Sequence, residues 1–146
     1  MHKRWMHEER AVSVLFWVGF FAFIFAPLMA LAIEMGRLAH AKSTVQQAAD
    51  AAALAGVQEV DWELFRWTGI ATLRGSAIGV AQEYAWANAE PLTSRDIYPV
   101  VDSLFIHSQT FVVAGVGADV WPLFPAWFPA GYVHAWGEAE MRMRKD

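Results

Sequence analysis

Five histidines are the first residues in this sequence to test for chemistry: His2, His7, His40, His107 and His134. A helical zinc site needs an H-x-x-x-H spacing, and no pair provides it. Each reads as an ordinary surface or packing histidine. Glu138 and Glu140 fall on one face of a strand pattern and resemble the paired carboxylates of acid–base catalysis. Arg142 shares that face, so a solvated charged strip is the simpler reading. Asp50 stands inside an alanine-rich stretch, where two readings stay open. It has a functional role, or it only solvates a helix face or binds a neighbouring arginine. The glycines of GVGAD, Gly115 to Asp119, lack the Lys-Ser/Thr partner and the helix of a phosphate loop. The chain has no cysteine, which excludes a disulfide framework, a thiolate metal site and a thiol nucleophile. No nucleophile with a base and an orienting group is present. The residues point to a protein that is not an enzyme and holds no cofactor or metal.

The elements are more telling than the chemistry. The chain has 146 residues, one small domain's worth, with 56% hydrophobic and 18% charged residues. Its net charge of -4 gives no basic footprint for nucleic acid. The apolar excess concentrates first in Ala11 to Ile33, AVSVLFWVGFFAFIFAPLMALAI, which has no ionisable side chain. At 1.5 Å per residue this is about 34 Å of helix, enough for a hydrocarbon core of about 30 Å. A cleaved signal peptide has a shorter apolar core, of about 7 to 15 residues, although MALA imitates a cleavage site. The expected division is a cytoplasmic N-terminus at 1–10, a transmembrane helix at 11–33 and an extracytoplasmic domain at 34–146. His2, Lys3, Arg4 and Arg10 precede the run, and a segment so short cannot be a domain, which orients the N-terminus inward. The expected location is the inner (cytoplasmic) membrane. Trp5 is a candidate interfacial anchor, and Pro27 is expected to kink the span.

Beyond the run, Glu34 to Ala55 is rich in helix formers and extends the helix, with Gly56 as its expected stop. Leu38, Val45, Ala48, Ala49, Ala52 and Leu54 are its expected buried positions. A second helix is predicted over Glu63 to Ala89, on the stripe Ile70, Leu73, Ala77, Val80, Tyr84 and Ala87, ended by Pro91. Leu92 to Pro99 reads as loop. Val100 to His107 and Thr110 to Val116 read as strands. Tyr132 to Arg144 alternates with period two, with Val133, Ala135, Gly137 and Ala139 on its small-residue face. That face is expected against the alanine-rich helix. The predicted fold is α+β and membrane-anchored. It has one long N-terminal helix, a second helix and a small antiparallel sheet in a pilin-like architecture.

Aromatic residues supply the candidate binding surfaces. Phe16, Phe20 and Phe23 form one stripe of the span, and Phe21 and Phe25 another. Lipid contact is the simplest reading, and contact with a helix, pigment or quinone of a larger complex the sharper one. Trp121 to Pro129, WPLFPAWFP, holds Trp121, Phe124, Trp127 and Phe128 between three prolines. Such a segment cannot bury all four rings in one regular element. At least two are expected to contact a partner protein or the outer membrane interface.

The span followed by AIEMGRLAHAKSTVQQAADAAALAG resembles the N-terminal region of the TadE/TadG-like proteins, membrane-anchored components of the Tad (Flp) pilus machinery. Glu34, Gly36 and Arg37 match the family's acidic residue and Gly-Arg pair. Gln47 to Gly56, with Asp50, match its alanine-rich motif. The C-terminal strand resembles the family's end more loosely. The resemblance covers about a third of the chain. It implies a non-enzymatic structural or assembly component of a Tad-type pilus or secretion machine, with the bilayer and envelope proteins as partners and no nucleic acid. Pilin-like members are cleaved after a glycine with a glutamate five residues on. Here Arg10 and Leu15 stand at those places, so no cleavage is expected. Longer TadG-like members carry a von Willebrand-type domain; this sequence has no room for one and lacks its D-x-S-x-S motif, so a role as filament subunit or metal-dependent adhesin is not expected. The alternative function is an accessory subunit of a photosynthetic or respiratory membrane complex.

Overall fold

A computed structural model describes residues 12–142. The basic N-terminal flank, Trp5, Arg10, Met143 and Arg144 lie outside the described residues.

One helix, α1 (Val12–Gln58), runs through the apolar segment and the alanine-rich stretch without a break. It is the one described helix long and apolar enough to cross a membrane. Its only irregularity is a π turn at Phe21–Phe25. The turn precedes Pro27, whose ring presses on the carbonyl four residues back and which lacks an N–H. The widened turn therefore takes up the strain expected there. Gly56 is not the stop. The helix passes through it and ends at Gln58, because Gly56 is a packing position. A Cβ there would lie 3.1 Å from Val112 Cγ1 and 3.2 Å from Ala81 Cβ.

The predicted second helix is two helices. α2 (Trp62–Thr68) is capped by Asp61, which accepts from the Leu64 N–H at 3.0 Å. It ends at Gly69, which is left-handed at φ 71°. A short link follows, in which Leu73 bridges Val60. α3 (Ala77–Ala89) then begins. Its buried residues are Ala77, Ala81, Ala85 and Ala89, a four-residue repeat of small side chains. The expected stripe is therefore corrected: Ile70 and Tyr84 are exposed. Alanines win the inner face because α3 lies close against α1, where a larger ring does not fit. Leu54 is likewise exposed. It sits about 200° around the helix from the buried Ala52. A 3-10 turn (Glu90–Arg95) follows α3 and occupies the first half of the expected loop.

Three strands form one antiparallel sheet in the order β1 (Ile97–Ser108), β2 (Phe111–Val120), β3 (Gly131–Glu140). β1 starts before the expected Val100. Its Pro99 is tolerated because β1 is an edge strand. The inner sheet face carries Ala114, Val116, Ala118, Val120 and Ala135. It packs on Val45, Ala48, Ala49 and Ala52 of α1 and on the alanines of α3. Gly137 lets β3 approach so closely that a Cβ would strike the Ala49 backbone. The expected contact between the alanine-rich helix and the small face of the last strand is thus present. Gln46 reinforces it, donating to the Trp136 carbonyl at 2.9 Å.

Candidate functional site: where the aromatic loop meets the apolar helix

Glu34 directly follows the apolar run of α1, and a buried carboxylate there needs hydrogen-bond partners. It is 5% exposed, the one buried charged side chain among the described residues. Arg37, three residues on, lies on the same helix face. Its guanidinium donates to Glu34 Oε1 at 3.3 Å. It also donates to the carbonyls of Trp121 at 3.0 Å and Arg95 at 3.2 Å. The other Glu34 oxygen accepts from the Leu123 N–H at 3.2 Å. This helix pair therefore clamps two chain segments, the β2–β3 loop and the end of the 3-10 turn. A planar guanidinium with several donors suits such a three-way contact, and an ammonium does not reproduce it. Sequence reasoning singled out Glu34 and Arg37 but did not foresee what they hold. Loop carbonyls carry no side-chain signal.

The clamped loop is folded on itself. The Trp127 and Phe128 N–H groups both donate to the Phe124 carbonyl, at 3.0 and 3.1 Å. The Phe124 and Trp127 rings stack at 5.8 Å. Trp121 and Trp127 are exposed at 60% and 53%, while Phe124 and Phe128 are half-buried. Trp127 and Phe128 line an open apolar groove against Phe23, Pro27 and Leu31 of α1. Phe124, Trp127 and Phe128 are therefore gathered beside the apolar run, while Trp121 lies apart, beside Arg37, Asp96 and Tyr98.

The other motif residues lie elsewhere. Gly36 has nothing within 4 Å of where a Cβ would be. Gln47 is exposed and donates to Ser43 Oγ at 3.4 Å. Asp50 is exposed and accepts from Gln46 at 2.9 Å, so its described partner is a glutamine and not an arginine. Glu140 and Arg142 pair at 3.4 Å in solvent, as a charged strip does.

The outer sheet face holds a polar cluster that the sequence reading missed. Asp102 Oδ2 lies 2.8 Å from His134 Nε2 and accepts from the Tyr132 hydroxyl at 3.1 Å. Oδ1 accepts from Ser103 Oγ at 3.0 Å. A bulge between Val101 and Ser103 makes this possible, because adjacent residues of a regular strand point to opposite faces. Gly115 and Gly117 of β2 leave the room: a Cβ on either would strike this cluster or the neighbouring rings. Partial burial pushes the Asp102 carboxyl up, but the hydrogen bonds from Ser103, His134 and Tyr132 outweigh it and hold the group below its ordinary value. Burial, then the bond to Asp102, pushes the Tyr132 phenol up. Ser103 bonds to the carboxylate and not to the imidazole, so the three do not form a nucleophile–base–orienter relay. The cluster ties β1 to β3 across the glycines.

A second exposed surface lies at the far end of α1. Helix α2 buries none of its residues and displays Trp62 and Trp67, the latter 88% exposed. The predicted helix, beginning at Glu63, included Trp67 and stopped one residue short of Trp62, and the exposure of neither was foreseen.

Comparison with curated proteins and with solved structures yields no match. Residues 11–59 match the family described as putative Flp pilus-assembly TadE/G-like, a third of the chain that includes the apolar run, the Glu34–Arg37 clamp and the alanine-rich helix, and the resemblance read from those residues is thereby shown.

Proposed function

We propose that this protein is a non-enzymatic structural or assembly component of a Tad-type pilus machine. In this reading α1 crosses the inner membrane once over residues 11–33. The N-terminus is cytoplasmic, and residues 34–146 form a domain on the other side. The observation that carries the reading is the coincidence of the family match with the clamp: the matched segment contains both the apolar run and the two side chains that fasten the domain to its end. A bundle of alanines and a sheet with glycine contacts serves rigid positioning better than substrate entry. The exposed aromatics at the two ends, Trp121 and Trp127 near the span and Trp62 and Trp67 far from it, supply surfaces for lipid and envelope proteins. No observation on the described residues favours the photosynthetic or respiratory alternative.

The test is a gene deletion in the source cell, scored for surface Flp pili by electron microscopy and complemented with the intact gene. Loss of pili, restored by the wild-type gene, is the expected outcome. Normal piliation in the deletion strain overturns the proposal.

A further inference from the structure

The β2–β3 loop lies beside the apolar run of α1. Trp127 and Phe128 lie against the stretch of α1 from Phe23 to Leu31. At 1.5 Å per residue, Leu31 is about 3 Å and Phe23 about 15 Å below Ile33, the end of the apolar run. The run exceeds a core of about 30 Å by only about 4 Å, too little to lift the whole stretch into water. Were the bilayer to end below Phe23, only residues 11–22 would remain, about 18 Å of helix against a core of about 30 Å.

The loop is chemically suited to that depth. No ionisable side chain occurs between Asp119 and Tyr132. Pro122, Pro125 and Pro129 have no N–H to leave unpaired. The N–H groups of Leu123, Trp127 and Phe128 are bonded within the protein, as is the Trp121 carbonyl. These bonds satisfy part of the loop's polar backbone, so the depth that suits it is the headgroup–acyl boundary, where water reaches the remaining groups, and not the hydrocarbon core. Glu34, the one charge buried at this level among the described residues, is paired with Arg37. The groove beside Trp127 is open and apolar, continuous with the exposed apolar surface of the helix.

We propose that the Trp121–Phe128 loop is a second membrane contact, set into the leaflet on the domain's side, with Trp127 and Phe128 at the headgroup–acyl boundary and a phospholipid chain in the groove against α1. Tryptophan suits that boundary because its ring is apolar and its N–H remains close to water. The helix and the loop together fix the tilt and rotation of the domain on the membrane, which a single helix leaves free. The inference rests on the reading of α1 as a membrane span.

The natural absence of cysteine permits a clean test. The full chain is reconstituted in phosphatidylcholine vesicles as single-cysteine variants carrying a nitroxide: Trp127→Cys, Phe20→Cys within the span and Trp67→Cys on α2. Collision with oxygen, which partitions into lipid, is compared with collision with a water-soluble nickel chelate. The expected result is oxygen dominance at positions 20 and 127 and nickel dominance at position 67. Ala126→Cys, an exposed loop site, repeats the measurement if Trp127→Cys does not fold. Position 127 or 126 matching position 67, while position 20 reports lipid, overturns the loop contact alone. Nickel dominance at position 20 overturns the span and the contact with it.

Discussion

At the scale of single residues, the family-like motif has a mechanical meaning. Glu34 and Arg37 join three segments through one ion pair and three backbone contacts. Arg37→Met leaves the buried carboxylate without its cation, and a cost of about 2 kcal/mol in chemical unfolding is expected. Glu34→Gln keeps an acceptor for Leu123 and is expected to cost less. Equal stability of Arg37→Met and wild type in detergent would remove the clamp from the account. Gly36 behaves oppositely, since no neighbour crowds it. Gly36→Ala is expected to leave the fold unharmed or gain about 0.5–1 kcal/mol. A stable Gly36→Ala protein that fails to assemble would place a partner's backbone there. Asp102 makes a pH prediction. Its carboxyl titrates lower in the fold than in the unfolded chain, whose ordinary value is 3.8. The stabilisation it gives is therefore present above that value and fades as pH falls below it. The melting-temperature gap between wild type and Asp102→Asn should shrink below about pH 4. A gap that is constant down to pH 2 contradicts the cluster's role.

At the scale of elements, small residues decide the packing. Ala52→Leu is expected to overpack the contact between α1, α3 and the sheet, at about 1–3 kcal/mol, read from thermal unfolding. An unchanged midpoint would mean that the contact is absent. These same small residues explain what was legible in the sequence. The long helix, the strand pairs and the small face of β3 follow from helix propensity, β-branching and alternation, which are local signals. The break between α2 and α3 is harder to read, because Gly69 inside a periodic apolar pattern looks like a tolerated glycine until its left-handed φ is seen. The inner face of α3 was misread for a related reason. A stripe of large side chains reads as buried by hydrophobicity, yet the close neighbour α1 admits only Ala77, Ala81, Ala85 and Ala89. The Asp102–His134 cluster is illegible for a different reason. It depends on a bulge and a strand register, neither of which leaves a mark at its own residues.

At the scale of the whole molecule, the chain is a rod of helix with its domain fastened to the upper part. About 70 Å separates the ends of α1 at 1.5 Å per residue. The aromatic loop lies beside residues 23–31 of α1, and Trp62 and Trp67 follow its C-terminal end, about 40–50 Å further along the axis. Arg10 and Leu15, where a processed pilin has its glycine and glutamate, predict an uncut chain in intact-mass analysis of membrane extracts. The central claim is that the chain works as part of a pilus assembly machine, and co-purification in mild detergent with mass spectrometry of the bound proteins tests it most directly. The account predicts pilus ATPase, secretin or other Tad-machine subunits, with recovery reduced when Glu34 and Arg37 are replaced together. Recovery of pigment-binding or redox subunits in their place would contradict it.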